Sequence, residues 1–285
     1  MDNNTKEVIR QAVRDRYGKI ANANSEVPGK RIIGSCCGES KTAAGNGSAV
    51  SCCGGSDITS NQMSTLMGYS KQDLAGVTEG ANMGLGCGNP VALASLQPGE
   101  TVVDLGSGGG FDCFLAAKQV GETGRVIGVD MTPDMLSKAR ANAEKMQTQN
   151  VEFRLGEIEH LPVADNCADI IMSNCVINLS PDKQKVYADA FRILKPGGRL
   201  AISDIVAIAP LPEEIQQNLA LVSACVGGAA TIDDTRAMLA EVGFENIKIT
   251  PKDQSRELIS EWTAGDSKNA GDYVVSAYIE AVKPY

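Results

Sequence analysis

Residues 101–120, TVVDLGSGGGFDCFLAAKQV, decide the fold of this chain. The stretch begins with an apolar, β-branched run that is typical of a buried strand. A glycine-rich turn follows, and the run FDCFLAAKQV after it is predicted to be a helix. Glycines between a strand and a helix let the backbone approach a ligand closely, and the N–H groups at the helix start favour a negative group. The stretch therefore predicts a ligand site at the end of a strand.

The chain from about residue 100 onward repeats this alternation. Further segments with the composition of strands are GRVIGVD (124–130), NVEFRLG (150–156), ADIIMSN (168–174) and LAISDIV (200–206). Predicted helices lie between them, at PDMLSKARANAEKM (133–146) and DKQKVYADAFRIL (182–194). Strands that alternate with helices of roughly 10–15 residues form βαβ units and a parallel sheet. We therefore expect an α/β fold.

Composition and charge exclude several classes of partner. The chain has 285 residues, of which 43% are hydrophobic, and its 26 basic and 35 acidic residues give a net charge of −9. Nucleic acids and anionic membranes need a basic surface, so neither is expected as the main partner. No apolar run approaches the ~18 residues of a transmembrane helix, and the first residues, MDNNTKEVIRQ, lack the apolar core of a secretion signal. We expect a cytoplasmic protein.

Nine cysteines and a single histidine, His160, are the unusual chemical feature of the chain. The cysteines are Cys36, Cys37, Cys52, Cys53, Cys87, Cys113, Cys167, Cys175 and Cys225. In a reducing compartment, clustered cysteines more often serve metal or redox chemistry than a disulfide framework. An odd number cannot pair completely within one chain. Any histidine-based triad would have to use His160.

Composition also divides the chain into three parts. Residues 1–74 combine a predicted amphipathic helix, over 2–21, with a mobile segment rich in Gly, Ser and Cys. The apolar residues of that helix recur at helical spacing, at Ile9, Val13, Tyr17 and Ile20. Residues 75–250 are predicted to form the ligand-binding domain, with an insertion at about 207–232 where the alternation stops. Residues 251–285 are predicted to complete the fold.

Acidic residues stand at the ends of three predicted strands. Asp104 lies two residues before the first glycine of the loop, Asp130 ends GRVIGVD, and Glu157 follows NVEFRLG. Open α/β sheets bind ligands at the carboxyl ends of their strands, so these side chains are expected on one face. A carboxylate at Asp130 can accept both hydroxyls of a ribose, while Glu157 and the N–H of Ile158 can bind an adenine. The alternative is that the three acids cap the helices that follow.

The motif DLGSGGG (104–110), Asp130 and the turn LKPGGRL (194–200) resemble the class I S-adenosylmethionine (SAM) methyltransferases. The resemblance covers the middle part of the chain and implies a Rossmann-like, seven-stranded sheet with helices on both faces. Its antiparallel last strand is expected from a hairpin of ENIKIT (245–250) and YVVSAYIEAV (273–282). Residues that the resemblance places at the methyl donor are Asp104, Gly106, Ser107, Gly108, Asp130, Met131, Glu157, Ile158 and Asn174.

Three cysteines from separate segments are predicted to lie near one end of the sheet. Cys175 follows the fourth predicted strand, Cys225 lies in the insertion, and Cys87 lies just before the first strand. A set of soft thiolates suits a soft, thiophilic centre. The alternative for each is a small buried hydrophobe, which is the interpretation that we favour for Cys113 and Cys167. Zinc is not favoured, since the sequence has no C-x-x-C spacing.

The resemblance becomes more specific around these cysteines. Segments similar to the arsenite methyltransferases are SNCVINLSPDKQKV (173–186), GLGCGNP (84–90), CVGGA (225–229) and the two N-terminal CCG clusters. This resemblance implies that Cys87, Cys175 and Cys225 bind arsenic(III). It also implies a further cysteine for disulfide exchange, and Cys52 or Cys53 is favoured over the first cluster because that pair is nearer to Cys87. Many animal members have an aromatic YYGCG in place of GLGCG, which leaves open what shields the arsenic or the methyl group on that side.

The arsenite methyltransferase resemblance implies an enzyme that methylates arsenite, or its glutathione conjugate, with SAM as the donor, giving methylarsenicals for detoxification. Residues 75–250 would be the SAM-binding domain, and the insertion would bind arsenic. Methylation oxidises arsenic formally, so a protein disulfide and an external reductant, thioredoxin or glutathione, would return it to the trivalent state. No metal cofactor is expected, and the sequence offers few cations near the thiols.

Two other functions stay open at this point. One is a SAM-dependent methyltransferase of a small organic substrate, in which the cysteines are structural. The other is a metalloid-binding protein without turnover. A dinucleotide-dependent oxidoreductase is disfavoured, because the glycine loop lacks the dinucleotide spacing.

Overall fold

A seven-stranded mixed sheet forms the centre of the computed structural model, which describes residues 2–26, 59–256, 259 and 270–285. The strands are β1 (Thr101–Leu105), β2 (Arg125–Asp130), β3 (Val151–Leu155), β4 (Ala168–Asn174), β5 (Leu194–Ala207), β6 (Glu245–Lys252) and β7 (Val274–Val282). The α-helices are α1 (Asn3–Glu26), α2 (Ser60–Leu66), α3 (Lys71–Ala75), α4 (Pro90–Ala94), α5 (Phe111–Val120), α6 (Pro133–Met146), α7 (Lys183–Ile193), α8 (Glu213–Gln217), α9 (Leu219–Val222) and α10 (Ile232–Val242).

The strand order is β3-β2-β1-β4-β5-β7-β6. The first five strands in this order run parallel, and β7 is antiparallel to both β5 and β6. The predicted hairpin of ENIKIT and YVVSAYIEAV therefore forms, as β6 and β7. Within the sheet, β7 lies between β5 and β6, so β6 is the edge strand. The expected Rossmann-like α/β sheet is confirmed. Chain order reverses between β1 and β4, which is where open sheets of this kind bind ligands.

Alternate side chains of the strands fill two separate apolar layers, one on each face of the sheet. Val103 and Leu105 of β1 face a layer that includes residues of α7 and α10. Val102 points the other way, into a layer that includes residues of α4, α5 and α6. Each fully buried aliphatic side chain contributes roughly 1.5–3 kcal/mol to the free energy of folding. Helices on both faces therefore hold the strand ends in place.

The amino-terminal helix α1 begins one residue after the predicted start, extends five residues beyond the predicted end at residue 21, and packs against α6 and α9. Ile9 and Val13, two of the residues at helical spacing, are buried. Near its start, Lys6 pairs with Asp182 at 2.6 Å, which ties the helix to the residue before α7. None of the helices within the described ranges has the length and apolarity that crossing a membrane requires.

The insertion (207–232) leaves the sheet at the end of β5, and its last residues return to that end. Its ends are joined by a 2.8 Å hydrogen bond from the N–H of Ala207 to the carbonyl of Ala230. Near its end, Gly228 lies against the backbone of Asn178, where a Cβ would be only 2.2 Å from the carbonyl oxygen. The insertion is therefore anchored beside the loop that follows β4.

Replacing Gly228 by Ala is expected to destabilise the fold by roughly 1–3 kcal/mol, because the added methyl group meets backbone. Gly18→Ala is the matched control, since its Cβ would meet the flexible carboxylate of Asp134 at 3.0 Å. Ala is favoured over Gly inside a helix by roughly 0.5–1 kcal/mol, so this variant should be at least as stable as the native protein. Urea unfolding, followed by circular dichroism, measures the free energy of unfolding of both variants. Equal stability of the two variants would contradict the anchoring of the insertion at Asn178.

Candidate active site

The loop between β1 and α5 adopts backbone conformations that glycine tolerates best. Gly106, Gly108 and Gly110 have φ angles of +72°, +51° and +90°. A Cβ at Gly106 would also lie 2.5 Å from the side chain of Val176. The loop therefore brings bare backbone to the end of β1.

Asp130, at the end of β2, holds this loop. Its Oδ2 accepts a hydrogen bond from the N–H of Gly108 at 2.9 Å, and its Oδ1 accepts one from the N–H of Thr132 at 2.8 Å. Burial raises the pKa of Asp130, and these backbone hydrogen bonds oppose the rise. Each carboxylate oxygen has a second lone pair, so the side chain can still accept the hydroxyl groups of a ribose.

Ser107 shows that the loop suits a polar ligand. The residue is only 6% exposed and lines the cavity beside the loop. Its Oγ has no hydrogen-bond partner within the described part of the chain. Because an unpaired buried hydroxyl costs roughly 1–3 kcal/mol, a ligand with polar groups would be favoured here.

A cavity of about 670 Å³ extends from the glycine loop to the cysteines. The predicted donor-site residues that line it are Asp104, Gly106, Ser107, Gly108, Asp130, Met131, Ile158 and Asn174. Glu157, the remaining one, forms an ion pair with Arg10 of α1, with 3.3 Å between Oε2 and Nε. Cys175 and Cys225 line the same cavity. The structure therefore brings predicted donor residues and two of the predicted thiols to one space.

Cys87, Cys175 and Cys225 pack together in one apolar cluster and are all buried. Cys175 follows β4 directly with a φ of +60°, and Cys225 follows α9 with a φ of +68°. The Cys225 thiol donates a hydrogen bond to the carbonyl of Cys175 at 2.7 Å. The predicted disulfide partners, Cys52 and Cys53, lie outside the described residues.

The environment of the cluster favours neutral thiols. Hydrogen bonds with Cys225 and Cys87, together with burial, raise the pKa of Cys175 well above its usual value. The hydrogen bond with Cys175 lowers the pKa of Cys225, but burial and the carboxylate of Asp204 outweigh it and the net shift is upward. Over the described residues, no set of three His, Cys, Asp or Glu side chains stands in metal-holding geometry. A thiophilic atom would therefore have to deprotonate these thiols and draw them together.

Two cations, Arg16 and Lys183, interact electrostatically with Cys225. The guanidinium of Arg16, on α1, acts to lower the pKa of Cys225. Burial lowers the pKa of Lys183, at the start of α7, and the charges of Asp204 and Cys225 oppose that shift. Both cations come from helices that are distant from the insertion in sequence, and only folding brings them to it.

The side chain of Asn174 connects the donor side of the cavity to Cys87. Its Oδ1 accepts the N–H of Cys87 at 2.9 Å. Its Nδ2 donates to the carbonyl of Gly88 at 2.9 Å and to Oδ2 of Asp112 at 3.2 Å. The hydroxyl of Tyr69 donates to the other oxygen of Asp112 at 2.5 Å. This network fixes Cys87 relative to the first turn of α5.

Two further strands of the sheet, β5 and β7, also contact Cys87. The hydroxyl of Ser276 in β7 donates to the carbonyl of Cys87 at 2.7 Å. The Oγ of Ser203 in β5 lies 3.6 Å from the sulfur. Cys87 is therefore held by backbone and side-chain bonds from three strands, β4, β5 and β7.

The two cysteines interpreted as structural lie away from the thiol cluster. Cys113 is buried in the layer around α5, and its thiol donates to Oδ2 of Asp104 at 3.2 Å. Burial and the neighbouring charge of Asp112 raise the pKa of that carboxyl group. Cys167 is half-buried and packs at the edge of the opposite layer.

Sequence reasoning missed several residues of the cavity. Asp112 lines it. An acidic residue in the first turn of a helix after a glycine loop could have indicated a place at the ligand site. Tyr17 and Arg10 of α1 also line it. The helical spacing of α1 predicted burial of Tyr17 but carried no information about which surface the helix covers.

Comparison with known proteins now identifies the family. A model of the Methyltransferase domain matches residues 96–243. The arsenite methyltransferase of Halobacterium salinarum is 52% identical over 279 residues, which cover 98% of this chain and 67% of that protein. The chain belongs to the arsenite methyltransferase family. The human arsenite methyltransferase is 42% identical over 152 residues, which cover 50% of this chain and 40% of that protein. The sequence resemblance is therefore confirmed, although the match spans less than half of the human relative.

Solved structures agree with this assignment. An arsenic(III) S-adenosylmethionine methyltransferase from Chlamydomonas reinhardtii superposes with a TM-score of 0.58 and 29% identity, over 78% of this chain and 73% of that one. A phosphoethanolamine N-methyltransferase from Haemonchus contortus superposes with a TM-score of 0.59 over 80% of this chain and 58% of that one. Its 19% identity indicates the fold alone. SAM is the methyl donor of this family.

Lowering the pH through about 6 is expected to weaken SAM binding. Burial raises the pKa of Asp112 to about 6, so below that pH the folded protein protonates this carboxylate and the cavity loses negative charge. Calorimetric titration at several pH values should give a dissociation constant for SAM that rises several-fold toward low pH. S-adenosylhomocysteine, which lacks the sulfonium charge, should show less change.

Asp112→Asn is expected to flatten this pH profile, because the amide does not titrate. A dissociation constant for SAM that does not change with pH in the native protein would contradict the role of Asp112.

Proposed function

We propose that this chain transfers a methyl group from SAM to trivalent arsenic held by Cys87, Cys175 and Cys225. The observation that carries the proposal is the packing of these thiols into one cluster, of which Cys175 and Cys225 line the cavity beside the glycine loop, although the three come from separate segments of the chain. Generic SAM binding does not require that arrangement. Membership of the arsenite methyltransferase family supports the same reaction.

Residues around the glycine loop are proposed to hold the donor. SAM, when bound, supplies an electrophilic methyl group on its sulfonium. Asp130 accepts the ribose hydroxyls while its backbone hydrogen bonds keep Gly108 close. Ile158, which lines the cavity, offers its N–H to the adenine, and Glu157, held by its ion pair with Arg10, is the proposed acceptor for the adenine amino group. These contacts fix the position of the donor relative to the thiols.

The thiol cluster is proposed to bind arsenite by exchange. Each thiol that replaces a hydroxide on arsenic gives its proton to that hydroxide, which leaves as water, so no general base is needed. Cys225 gives up its hydrogen bond to the carbonyl of Cys175 as its sulfur turns to arsenic. Thiolate-bound arsenic(III) keeps a lone pair, which is the nucleophile for the methyl group. Burial of the cluster excludes water from this step.

A disulfide is proposed to reset the site. Methyl transfer oxidises arsenic formally from the trivalent to the pentavalent state, and two electrons restore the trivalent state. Two protein thiols supply these electrons by forming a disulfide. Cys52 or Cys53 is proposed as one of the two, paired with a member of the thiol cluster. Thioredoxin or glutathione then reduces the disulfide.

Arsenite-dependent conversion of SAM to S-adenosylhomocysteine, with methylarsenicals detected by mass spectrometry, tests this function. Cys175→Ser is expected to lower the rate at least about 100-fold, because a hydroxyl is a poor ligand for a soft centre. Cys167→Ser is the matched control, since Cys167 packs outside the thiol cluster, and it should keep the native rate. Thermal unfolding establishes that both variants fold.

Two results would contradict the proposal. SAM turnover on an organic compound, with no dependence on arsenite and no effect of Cys175→Ser, would indicate an ordinary methyltransferase with structural cysteines. Arsenite binding without SAM consumption, in the presence of either reductant, would indicate a metalloid-binding protein without turnover.

A further inference from the structure

Tyr17 of α1 connects the two halves of the cavity. The side chain packs against the thiol cluster of Cys87, Cys175 and Cys225. It also packs against a second apolar cluster, formed by Ala21, Met83 and Met135. Met83 reaches the glycine loop, because its Cε would lie 3.6 Å from a Cβ at Gly108. Tyr17 therefore stands between the donor side of the cavity and the thiols.

The polar end of Tyr17 reaches the turn that carries Cys225. Its hydroxyl donates a hydrogen bond to the carbonyl of Ser223, with 3.5 Å between the two oxygens. Ser223 lies two residues before Cys225, and the Tyr17 side chain also packs against the thiol cluster itself. Tyr17 therefore contacts both the backbone of this turn and the surface of the thiols.

The neighbouring residue fixes the same turn. Nη1 of Arg16 donates to the carbonyl of Ala220 and to Oγ of Ser223, both at 3.1 Å. These bonds hold the turn that carries Cys225 against α1. The orientation of the Cys225 sulfur is therefore set from α1 as well as from the insertion.

We propose that Tyr17 is a positioning residue for arsenic methylation: its ring shields the thiol-bound arsenic from water, and its hydroxyl anchors the ring to the turn that carries Cys225. This inference rests on the proposed function. In the segment GLGCG (84–88), the large apolar side chain is that of Leu85. Leu85 and Tyr17 both pack against the apolar cluster of Ala21, Met83 and Met135. An aromatic ring from α1 thus lies beside the leucine in this chain.

Two consequences distinguish this role from simple packing. Loss of the ring opens the thiols to water and slows methyl transfer, while the loop that binds SAM stays intact. Loss of the hydroxyl alone leaves the ring in place, and Arg16 still holds the turn through two hydrogen bonds, so transfer continues.

The test uses the full chain with Tyr17→Leu, Tyr17→Phe and a matched control, Ile9→Ala. Ile9 is buried in the same helix but does not line the cavity. Single-turnover methylation of bound arsenite is expected to slow about 10–100-fold in Tyr17→Leu, with an unchanged dissociation constant for SAM. Tyr17→Phe and Ile9→Ala should stay close to the native rate, and melting temperatures report the stability of each variant.

The second readout is the rate at which iodoacetamide alkylates Cys225 at one fixed pH, followed by peptide mass spectrometry. Tyr17→Leu is expected to raise this rate several-fold, while Tyr17→Phe and Ile9→Ala are expected to leave it unchanged. A native transfer rate in Tyr17→Leu, or an equal loss in Ile9→Ala, would overturn the shielding role. An unchanged alkylation rate in Tyr17→Leu would overturn it as well.

The two proposals fail in different ways. If the native protein forms no methylarsenicals, the proposed function fails. In that case, the role of Tyr17 is tested by measuring how far arsenite protects Cys225 from iodoacetamide. This protection requires arsenite binding but no methyl transfer. Protection that is weaker in Tyr17→Leu than in the native protein supports the role of Tyr17, and equal protection overturns it.

Discussion

The parallel pairing of β1 with β2 and β4 is the constraint on which the rest of the site depends. Because β1 lies between the other two, the loops after all three strands open at the same edge of the sheet. The glycine loop follows β1, Asp130 ends β2, and Cys175 follows β4. A shift of one residue in either pairing would turn the side chains of that strand to the opposite face. The register therefore keeps the donor loop and a thiol in one cavity.

The end of β4 places two of the three thiols. Asn174 binds the backbone of Cys87 through its amide, and the next residue, Cys175, contributes its own sulfur. The same amide reaches the carboxylate of Asp112 at the start of α5. A buried polar network is stable only when its members are satisfied, so a change in any of these residues would be transmitted to the others. One hydrogen-bond network thus joins the thiol cluster to the proposed donor site.

Burial has two effects on the thiol cluster. Hydrogen bonds with the neighbouring thiols raise the pKa of Cys175, and burial adds to that rise. For Cys225, burial and the charge of Asp204 outweigh the hydrogen bond with Cys175, so its pKa rises as well. The neutral thiols are therefore favoured and react less readily with ordinary electrophiles. Burial also provides the dry surroundings in which thiolate-bound arsenic would react. The helix α1 contributes to this enclosure through Val13 and Tyr17, so a segment outside the sheet completes the site.

The sequence by itself determined the α/β fold, the glycine loop and Asp130, because each depends on local backbone geometry or on the end of one strand. The family resemblance also singled out Cys175 and its two partners. Only the tertiary structure decided that Tyr17 packs against the thiol cluster, that Lys183 interacts electrostatically with Cys225, and that Glu157 pairs with Arg10. These contacts join residues that are distant in sequence, and helical spacing predicts which side of a helix is buried without specifying the surface that buries it.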